Sequence, residues 1–207
     1  LNKAKIDVGV ILNISDDHMD RYDSFTQYLQ VKGKLFGLAE INIINRDDHK
    51  LGALKHKANL SFGVSESHNK DDYILIDNNF PFLERGDGFT IELKSLKLIG
   101  THNKLNIMAA IASMQSVLPK FNQFKIDNLK GVNHRLEWLK NIQGIEFYND
   151  SKATNIDATI TALKSFDKKN IFLIAGGDSK NQIIKPLEKY LKRTVSALYL
   201  IGQDAHI

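Results

Sequence analysis

The N-terminal part of the chain carries side chains that can bind a metal ion or a phosphate. Asp17, His18 and Asp20 follow closely on the apolar segment Val8–Ile14, which is typical of a buried strand. In parallel sheets, ligands gather at the carboxyl ends of strands, and oxygen and imidazole groups there can hold Mg²⁺ or orient phosphate. Taken alone, such a segment is more often an ordinary polar loop. Lys32, fourteen residues after His18, is on its own more typical of a solvated helix lysine.

A second polar group begins an apolar segment. His102, Asn103 and Asn106 lie at the start of the apolar run Leu105–Leu118, where a helix would expose free N–H groups and its positive dipole end. Asparagine amides donate and accept, so they can pair with a purine edge. Simple capping by Thr101 or Asn103 is the plainer alternative, but it does not explain three polar residues on one turn.

Charged groups recur in the C-terminal half. The planar guanidinium of Arg135 can reach a phosphate, although an ion pair between domains would also explain it. Residues 149–155 are all small or polar and stand between a strand pattern and a helix pattern. Asp150 can accept hydrogen bonds from a ribose or bind a cation, and Lys152 can bind an anion. Capping by Thr154 or its neighbour would need only one of these residues.

A further lysine follows a glycine pair. Gly176 and Gly177 end an apolar run and allow close backbone approach and positive φ, and Lys180 comes three residues later. Because parallel strands end at one edge of a sheet, we predict that Lys152, Thr154 and Lys180 converge on one anion site. No Gly-x4-Gly-Lys-Ser/Thr phosphate loop occurs in the sequence.

The elements that must position these residues predict an α/β fold. The first fifty residues follow the order strand, polar loop, helix, strand of a parallel sheet, with the helix over 26–39. Two short strands then predict an antiparallel edge, and the apolar helix 105–118 is expected to be buried on every side. From residue 137 the pattern is β-α-β-α-β, a doubly wound unit. The predicted strands are 8–14, 41–44, 73–77, 89–93, 145–148, 171–175 and 197–201.

The restart of this pattern after a polar linker divides the chain in two. We predict one domain over residues 1–132 and a second over 133–207, with a hinge near Gly131–His134. Both ends of the chain are expected to be cut, because it begins with Leu and ends just after a strand pattern.

Composition narrows the function classes. The 207 residues are 43% hydrophobic and 25% charged, a balance typical of globular proteins. The net charge of +4 is modest and interleaved, which argues against a nucleic-acid binder. No apolar stretch reaches the roughly 20 residues that span a bilayer, so no membrane association is expected. The absence of cysteine excludes disulfides and thiolate metal sites and fits the cytoplasm.

Taken in order, the motifs resemble one family. Asn-x3-Asp-His-Met-Asp-Arg-Tyr, Tyr-x3-Lys, Gly-x-His-Asn-x2-Asn, His-Arg-x-Glu, Asn-Asp-Ser-Lys-Ala-Thr-Asn and Gly-Gly-x2-Lys are similar to the motif series of the Mur ligases. The resemblance implies most of a central ATPase domain followed by the first part of a Rossmann-like ligase domain. The motif at 149–155 is similar to that of the D-glutamate-adding member. The implied reaction is ATP-dependent ligation of D-glutamate to UDP-N-acetylmuramoyl-L-alanine in peptidoglycan synthesis, by a cytoplasmic monomer.

The resemblance also implies roles for single residues. His18 would bind Mg²⁺, and Lys32 would do so as a carbamate, which turns a cation into an oxygen ligand. Asn103 and Asn106 would contact the adenine side of ATP, and Arg135 and Asp150 its phosphates and ribose. Cationic and hydroxyl groups would hold the two carboxylates of D-glutamate. These groups are Lys152, Thr154 and Lys180. The catalytic candidates are Lys32, His18 and again Lys152.

The sequence also departs from the family pattern. By the resemblance, the phosphate-binding loop, a magnesium-binding glutamate, the UDP-binding domain and the C-terminal segments that close over D-glutamate are missing, so the chain alone is expected to be inactive or nearly so. Two alternatives stay open: another Mur or folylpolyglutamate-type ATP-dependent amide ligase, and a non-catalytic nucleotide-binding or scaffold protein.

Overall fold

The chain forms two compact units. The computed structural model describes residues 5–15, 21–76, 82–93, 98–120, 129–166, 170–177, 183–203 and 205. One unit comprises Leu1–Lys97 and Thr101–Leu129, and the other comprises Leu98–Gly100 and Lys130–Ile207. Within the described residues, no helix has the length and apolarity needed to cross a membrane.

The first unit is built on a six-stranded sheet. Its strands follow one another in chain order: β1 (Ile6–Ile11), β2 (Ala39–Asn45), β3 (Leu60–Gly63), β4 (Tyr73–Ile76), β5 (Phe82–Arg85) and β6 (Thr90–Glu92). The first four strands pair in parallel, and the last two pair antiparallel. This confirms the predicted mostly parallel sheet with an antiparallel edge. The strands β3 and β5 were not predicted.

Helices cover this sheet. Helix α1 (Phe25–Gly33) starts at Ser24, whose hydroxyl accepts a hydrogen bond from the Gln27 N–H at 3.2 Å. The chain then tightens into a 3-10 turn over Lys34–Gly37, so the predicted helix 26–39 is α-helical only in its first part. A second 3-10 segment runs over His49–Lys57. Helix α2 (Thr101–Val117) packs on β1 to β4.

The core of the first unit lies between α1 and the start of the sheet. One cluster joins Ile11, Ile14, Tyr28, Leu29, Phe36, Ile44, Leu51 and Leu54. Helix α2 buries Ile107, Met108, Ile111 and Ala112, whereas Met114 is 41% exposed and Val117 is 54% exposed. The expectation that this helix is buried on every side is therefore wrong for the described residues. An apolar composition shows that a helix can be buried, but the neighbouring elements decide which faces are covered.

The second unit combines a hairpin with a parallel pair of strands. Its elements are β7 (Glu137–Ile142), β8 (Ile145–Asn149), α3 (Ile156–Lys164), β9 (Ile171–Gly176), α4 (Lys185–Thr194) and β10 (Val195–Ile201). Strands β9 and β10 pair in parallel, and α3 and α4 share a core of Ile160, Leu163 and Leu187. On β9, the outward Phe172 and Ile174 are 68% and 69% exposed.

The hairpin corrects one prediction. Strand 145–148 was expected to join 171–175 and 197–201 in one doubly wound sheet, but among the described residues β8 pairs antiparallel with β7. The turn between them places Gln143 at φ 51° and Gly144 at φ 85°, the left-handed pair that favours a tight two-residue hairpin turn. The β-α-β order of β9, α4 and β10 is as predicted.

A charged pair at the end of β2 bonds to the end of β3 and to the start of β4. The Arg46 guanidinium donates to the carbonyls of Gly63 at 3.2 Å and Tyr73 at 2.9 Å, and also to that of Ser65. The next residue, Asp47, accepts from the Val64 N–H and the Ser65 hydroxyl. We call Arg46 and Asp47 the clamp, because together they connect β2 to the end of β3 and the start of β4.

The clamp shifts the pKa values of both residues. Burial lowers the pKa of the Arg46 guanidinium, although Asp47 and Asp72 oppose that change. Burial alone would raise the pKa of the Asp47 carboxyl, but hydrogen bonds from Ser65 and Val64 outweigh it and hold this pKa below its usual range.

We predict that Asp47→Asn weakens the fold and flattens its response to acid. The folded-state pKa of Asp47 lies below the unfolded value of about 3.9, so its contribution is complete above that value and is lost as pH falls through the folded pKa. The variant should lose about 1 kcal/mol at pH 7, a value near the low end for a charged hydrogen bond because water screens this carboxylate.

Urea denaturation of the 207-residue chain from pH 7 to pH 3 measures both effects. Asp71→Asn is the matched control, because Asp71 is an exposed carboxylate close to the same strand ends. Equal stabilities and equal acid slopes for the two variants would contradict the role given to the clamp.

Candidate functional site

The predicted carbamate lysine lies on the last turn of α1. Lys32 is exposed, and its Nζ lies 5.3 Å from the centroid of the Tyr28 ring, a cation–π distance. Tyr28 is buried and contacts the rings of Tyr22 and Phe25. His18 lies outside the described residues, so the shared cavity of His18 and Lys32 stays a prediction. Within the described residues, no cluster of three His, Asp or Glu could hold a metal ion.

The two predicted adenine contacts lie at the beginning of α2. The helix starts at Thr101, directly after Gly100 at φ 92°. Asn103 is half-buried and Asn106 is exposed, and residues three apart are neighbours on a helix surface. Thr101 is the first residue of α2 and Asn103 is the third.

The open end of the β7–β8 hairpin brings together the backbone segments of three predicted site residues, Arg135, Asp150 and Lys152. Glu137 pairs with Asn149 in the strand register, which brings the segment before β7 beside the segment after β8. The Lys152 N–H donates to the His134 carbonyl at 3.0 Å. The Leu136 N–H donates to the Asp150 carboxylate at 2.9 Å. We call residues 133–136 the arginine loop and residues 150–154 the lysine turn.

The arginine loop has an unusual backbone. His134 has φ 66° and Leu136 has φ 46°, so two residues in the left-handed region flank Arg135. This region costs an ordinary L-residue roughly 1–2 kcal/mol, and a leucine gains no compensating local hydrogen bond from its side chain. The loop therefore depends on bonds from outside itself. They come from Asp150, Lys152 and also Asn149, whose Nδ2 lies 2.8 Å from His134 Nδ1.

Two cations at this place are available for a ligand. Arg135 and Lys152 are exposed, and within the described part of the chain neither side chain has a hydrogen bond or ion pair. Asp150 uses one carboxylate oxygen for Leu136, and its other oxygen has no partner among the described residues. An anion that binds both cations would therefore displace no existing partner.

The residues before helix α3 include its N-cap. Asn155 is the N-cap, and its side chain accepts from the Ala158 N–H at 2.8 Å. Capping thus accounts for Asn155, whereas Asp150 and Lys152 lie before the cap.

Glycines shape the ends of β9 and β10. Gly176, Gly177 and Gly202 have φ values of 148°, 120° and 90°, and the Gly177 N–H donates to the Ile201 carbonyl at 3.0 Å. A Cβ on Gly202 would lie 2.7 Å from the Gly177 nitrogen, so only glycine permits this approach. Lys180 lies outside the described residues, and its convergence with Lys152 and Thr154 stays a prediction.

Comparison with known proteins identifies the family. Residues 1–114 match the model of the Mur ligase middle domain, and residues 134–206 match that of the Mur ligase glutamate ligase domain. The chain belongs to the Mur ligase family. The first match alone spans more than half of the 207 residues.

Several Mur ligases named UDP-N-acetylmuramoylalanine–D-glutamate ligase are similar over nearly the whole chain. The protein of Nitrosomonas europaea is 34% identical over 208 residues, covering 96% of this chain and 44% of that protein. That of Methylobacillus flagellatus is 36% identical, with 97% and 45% covered. That of Citrifermentans bemidjiense is 37% identical, with 95% and 45% covered. The chain thus spans less than half the length of these relatives.

Solved structures of Mur ligases show the same fold. The MurF ligase of Thermotoga maritima, in complex with ADP, superposes with a TM-score of 0.70 at 20% identity, covering 95% of this chain and 52% of that one. UDP-N-acetylmuramate-alanine ligase of the same organism gives a TM-score of 0.64 at 17% identity, with 96% and 52% covered.

His134, Leu136 and Asn149 lie within the sequence motifs, but no role was predicted for them. Their contribution is the shape of the arginine loop, and the only sequence signal for it was that these residues stand beside Arg135 and Asp150. A leucine whose backbone adopts the left-handed region cannot be predicted from its residue type, in this Mur ligase or in any other chain.

We predict that Leu136→Gly gives a more stable chain than Leu136→Ala, by about 1 kcal/mol. Both changes remove the leucine side chain, but only glycine adopts positive φ without a steric cost. Chemical denaturation of both variants measures the difference.

The same two substitutions at Leu139 provide the control. Leu139 is exposed in β7 and has no positive φ, so alanine should be the more stable replacement there. A greater stability of alanine at both positions would show that the arginine loop does not hold its left-handed shape in solution.

Proposed function

We propose that this chain is the central ATP-binding part and the first part of the C-terminal ligase domain of a UDP-N-acetylmuramoyl-L-alanine:D-glutamate ligase. The complete protein would use ATP to join D-glutamate to the UDP-linked carboxylate through an acyl phosphate, in peptidoglycan synthesis. The observation that carries the proposal is the bonded pair of arginine loop and lysine turn, in a chain whose relatives bear that name. The pair presents two cations that have no partner within the part of the chain that the structure describes.

Four side chains would contact the nucleotide. Asn103 and Asn106 share one face of α2 and offer amide groups to an adenine. Arg135 offers a planar guanidinium to the phosphates, and Asp150 retains one carboxylate oxygen for a ribose hydroxyl. The ADP bound to the MurF ligase of similar fold is consistent with a nucleotide site in this architecture.

Mg²⁺ would be held by His18 and by Lys32 as a carbamate. Lys32 fits this role because its amine is exposed and forms no ion pair with a carboxylate among the described residues. A carbamate there would replace the cation with oxygen ligands of the kind that Mg²⁺ prefers. When bound, the metal would neutralise charge on the phosphates and on the acyl phosphate.

D-Glutamate would be oriented by the lysine turn. Lys152, Thr154 and Lys180 would bind its two carboxylates, because charge-assisted hydrogen bonds are the strongest contacts available to an anion. The amine would then attack the acyl carbon and expel phosphate through a tetrahedral intermediate. Lys152, whose backbone is held by His134, would keep the amine in line for this attack.

The remaining features of the proposal concern the whole protein. We place the domain division at 132/133, close to where the two compact units meet in sequence. We expect a cytoplasmic monomer that binds small-molecule substrates and neither nucleic acid nor membranes. The 207-residue chain alone should be inactive or nearly so, because it spans less than half the length of its relatives.

We predict that Lys32→Ala in the complete protein lowers turnover by roughly a hundredfold, the upper range for disturbed metal sites. Steady-state phosphate release measures this, and added bicarbonate should not restore activity because alanine cannot form a carbamate. Lys34→Ala, which removes a neighbouring exposed lysine, is the control and should leave turnover unchanged. Near-normal turnover of Lys32→Ala would remove the carbamate assignment.

We predict that Lys180→Ala raises the KM for D-glutamate by roughly ten- to a hundredfold and changes the KM for ATP far less. One charge-assisted contact contributes about 1.5–3 kcal/mol, which sets that range. Amino-acid-dependent phosphate release of the complete protein gives both constants, and Lys185→Ala on α4 is the matched control. A larger effect on ATP would assign Lys180 to the nucleotide site, and release that does not depend on D-glutamate would overturn the proposed function.

A further inference from the structure

Two side chains that have no role in the proposed chemistry lie between the nucleotide and amino-acid groups. Asn149 Nδ2 lies 2.8 Å from His134 Nδ1, and the Asn149 side-chain oxygen accepts from the Ser151 N–H at 3.1 Å. The second bond fixes the orientation of the amide, so its NH₂ group faces the imidazole. His134 Nδ1 therefore accepts, and its proton lies on Nε2.

These bonds connect the arginine loop to the lysine turn at several points. The Lys152 N–H donates to the His134 carbonyl, and the Leu136 N–H donates to Asp150. The His134 N–H also donates to Glu137 at 2.8 Å, which anchors the loop to the first residue of β7. Arg135 stands between two left-handed residues, so a shift of either segment moves both cations.

We propose that His134 and Asn149 are positioning residues that couple the two ligand sites. Their bond makes the arginine loop and the lysine turn one body, so that binding at Arg135 orders Lys152 and binding at Lys152 orders Arg135. Such coupling is reciprocal, because each ligand changes the affinity for the other by the same factor. The inference rests on the proposed function for the identity of the two ligands.

The hairpin contains its own control for this idea. Asn141 has the same arrangement as Asn149, since its Nδ2 donates to Glu146 at 3.1 Å and its oxygen accepts from the Gly144 N–H at 3.0 Å. It lies at the turn end of the hairpin, away from the arginine loop. Asn149→Ala and Asn141→Ala therefore remove equal numbers of bonds from one hairpin, and only the first removes the contact with His134.

The first measurement is hydrogen–deuterium exchange of the 207-residue chain. We expect faster exchange of the Leu136 and Lys152 amides in Asn149→Ala, and no change at these amides in Asn141→Ala. His134→Gly, which keeps positive φ without the imidazole, should behave like Asn149→Ala. Unchanged exchange in Asn149→Ala and His134→Gly, or equal changes in Asn141→Ala, would overturn the inference regardless of any activity.

The second measurement uses steady-state kinetics of the complete protein. Asn149→Ala and His134→Gly should each raise the KM for ATP and the KM for D-glutamate together, by about tenfold, and should reduce the factor by which one ligand improves binding of the other. Asn141→Ala should leave both constants unchanged. An increase in only one KM, or in neither, would show that the residues do not couple the sites.

The two measurements separate this inference from the proposed function. If the complete protein releases phosphate without D-glutamate, the proposed function is wrong, and the inference is then judged on exchange alone. If D-glutamate is required but Asn149→Ala behaves like Asn141→Ala, the function stands and the coupling is wrong.

Discussion

The bond between the Leu136 N–H and the Asp150 carboxylate is the contact on which the site depends. It spans fourteen residues of sequence and closes the open end of the β7–β8 hairpin. Without it, nothing in the local sequence would keep a leucine at φ 46°. The hairpin register places Glu137 opposite Asn149 and so brings the two partners within reach. The left-handed backbone on both sides of Arg135 thus results from the pairing of β7 with β8.

The two units use polar groups in different ways. In the first, the side chains of Arg46 and Asp47 form hydrogen bonds with backbone carbonyls and N–H groups of neighbouring strands and loops. In the second, Arg135 and Lys152 are held through their backbones, which leaves their side chains unpaired within the described residues. Arg46 and Asp47 thus use their side chains to support the fold, whereas Arg135 and Lys152 support it through their backbones and keep their side chains accessible.

Apolar periodicity predicted the parallel sheet and most helices, because β1, β2 and α2 are long enough to show a pattern. It missed β7, whose exposed residues carry no alternation, and it assigned β8 to the wrong sheet because a strand pattern does not name its partner. Motifs supplied the candidate side chains of the site. The shape of the arginine loop could not be predicted, since it arises from contacts between segments, and the placements of His18 and Lys180 remain predictions.

The clamp also occupies one part of the edge at which the parallel strands of the first sheet end. Ligands of parallel sheets collect where strands end, but at the end of β3 and the start of β4 the Arg46 guanidinium already bonds to the backbone carbonyls. A small molecule that approaches this edge beside β2 or β3 meets protein groups that already bond to one another. The hydrogen bonds that the clamp makes among the described residues do not reach β1, after which the sequence continues to Asp17 and His18. One arginine side chain thereby determines which strand ends of this sheet are already occupied by protein groups.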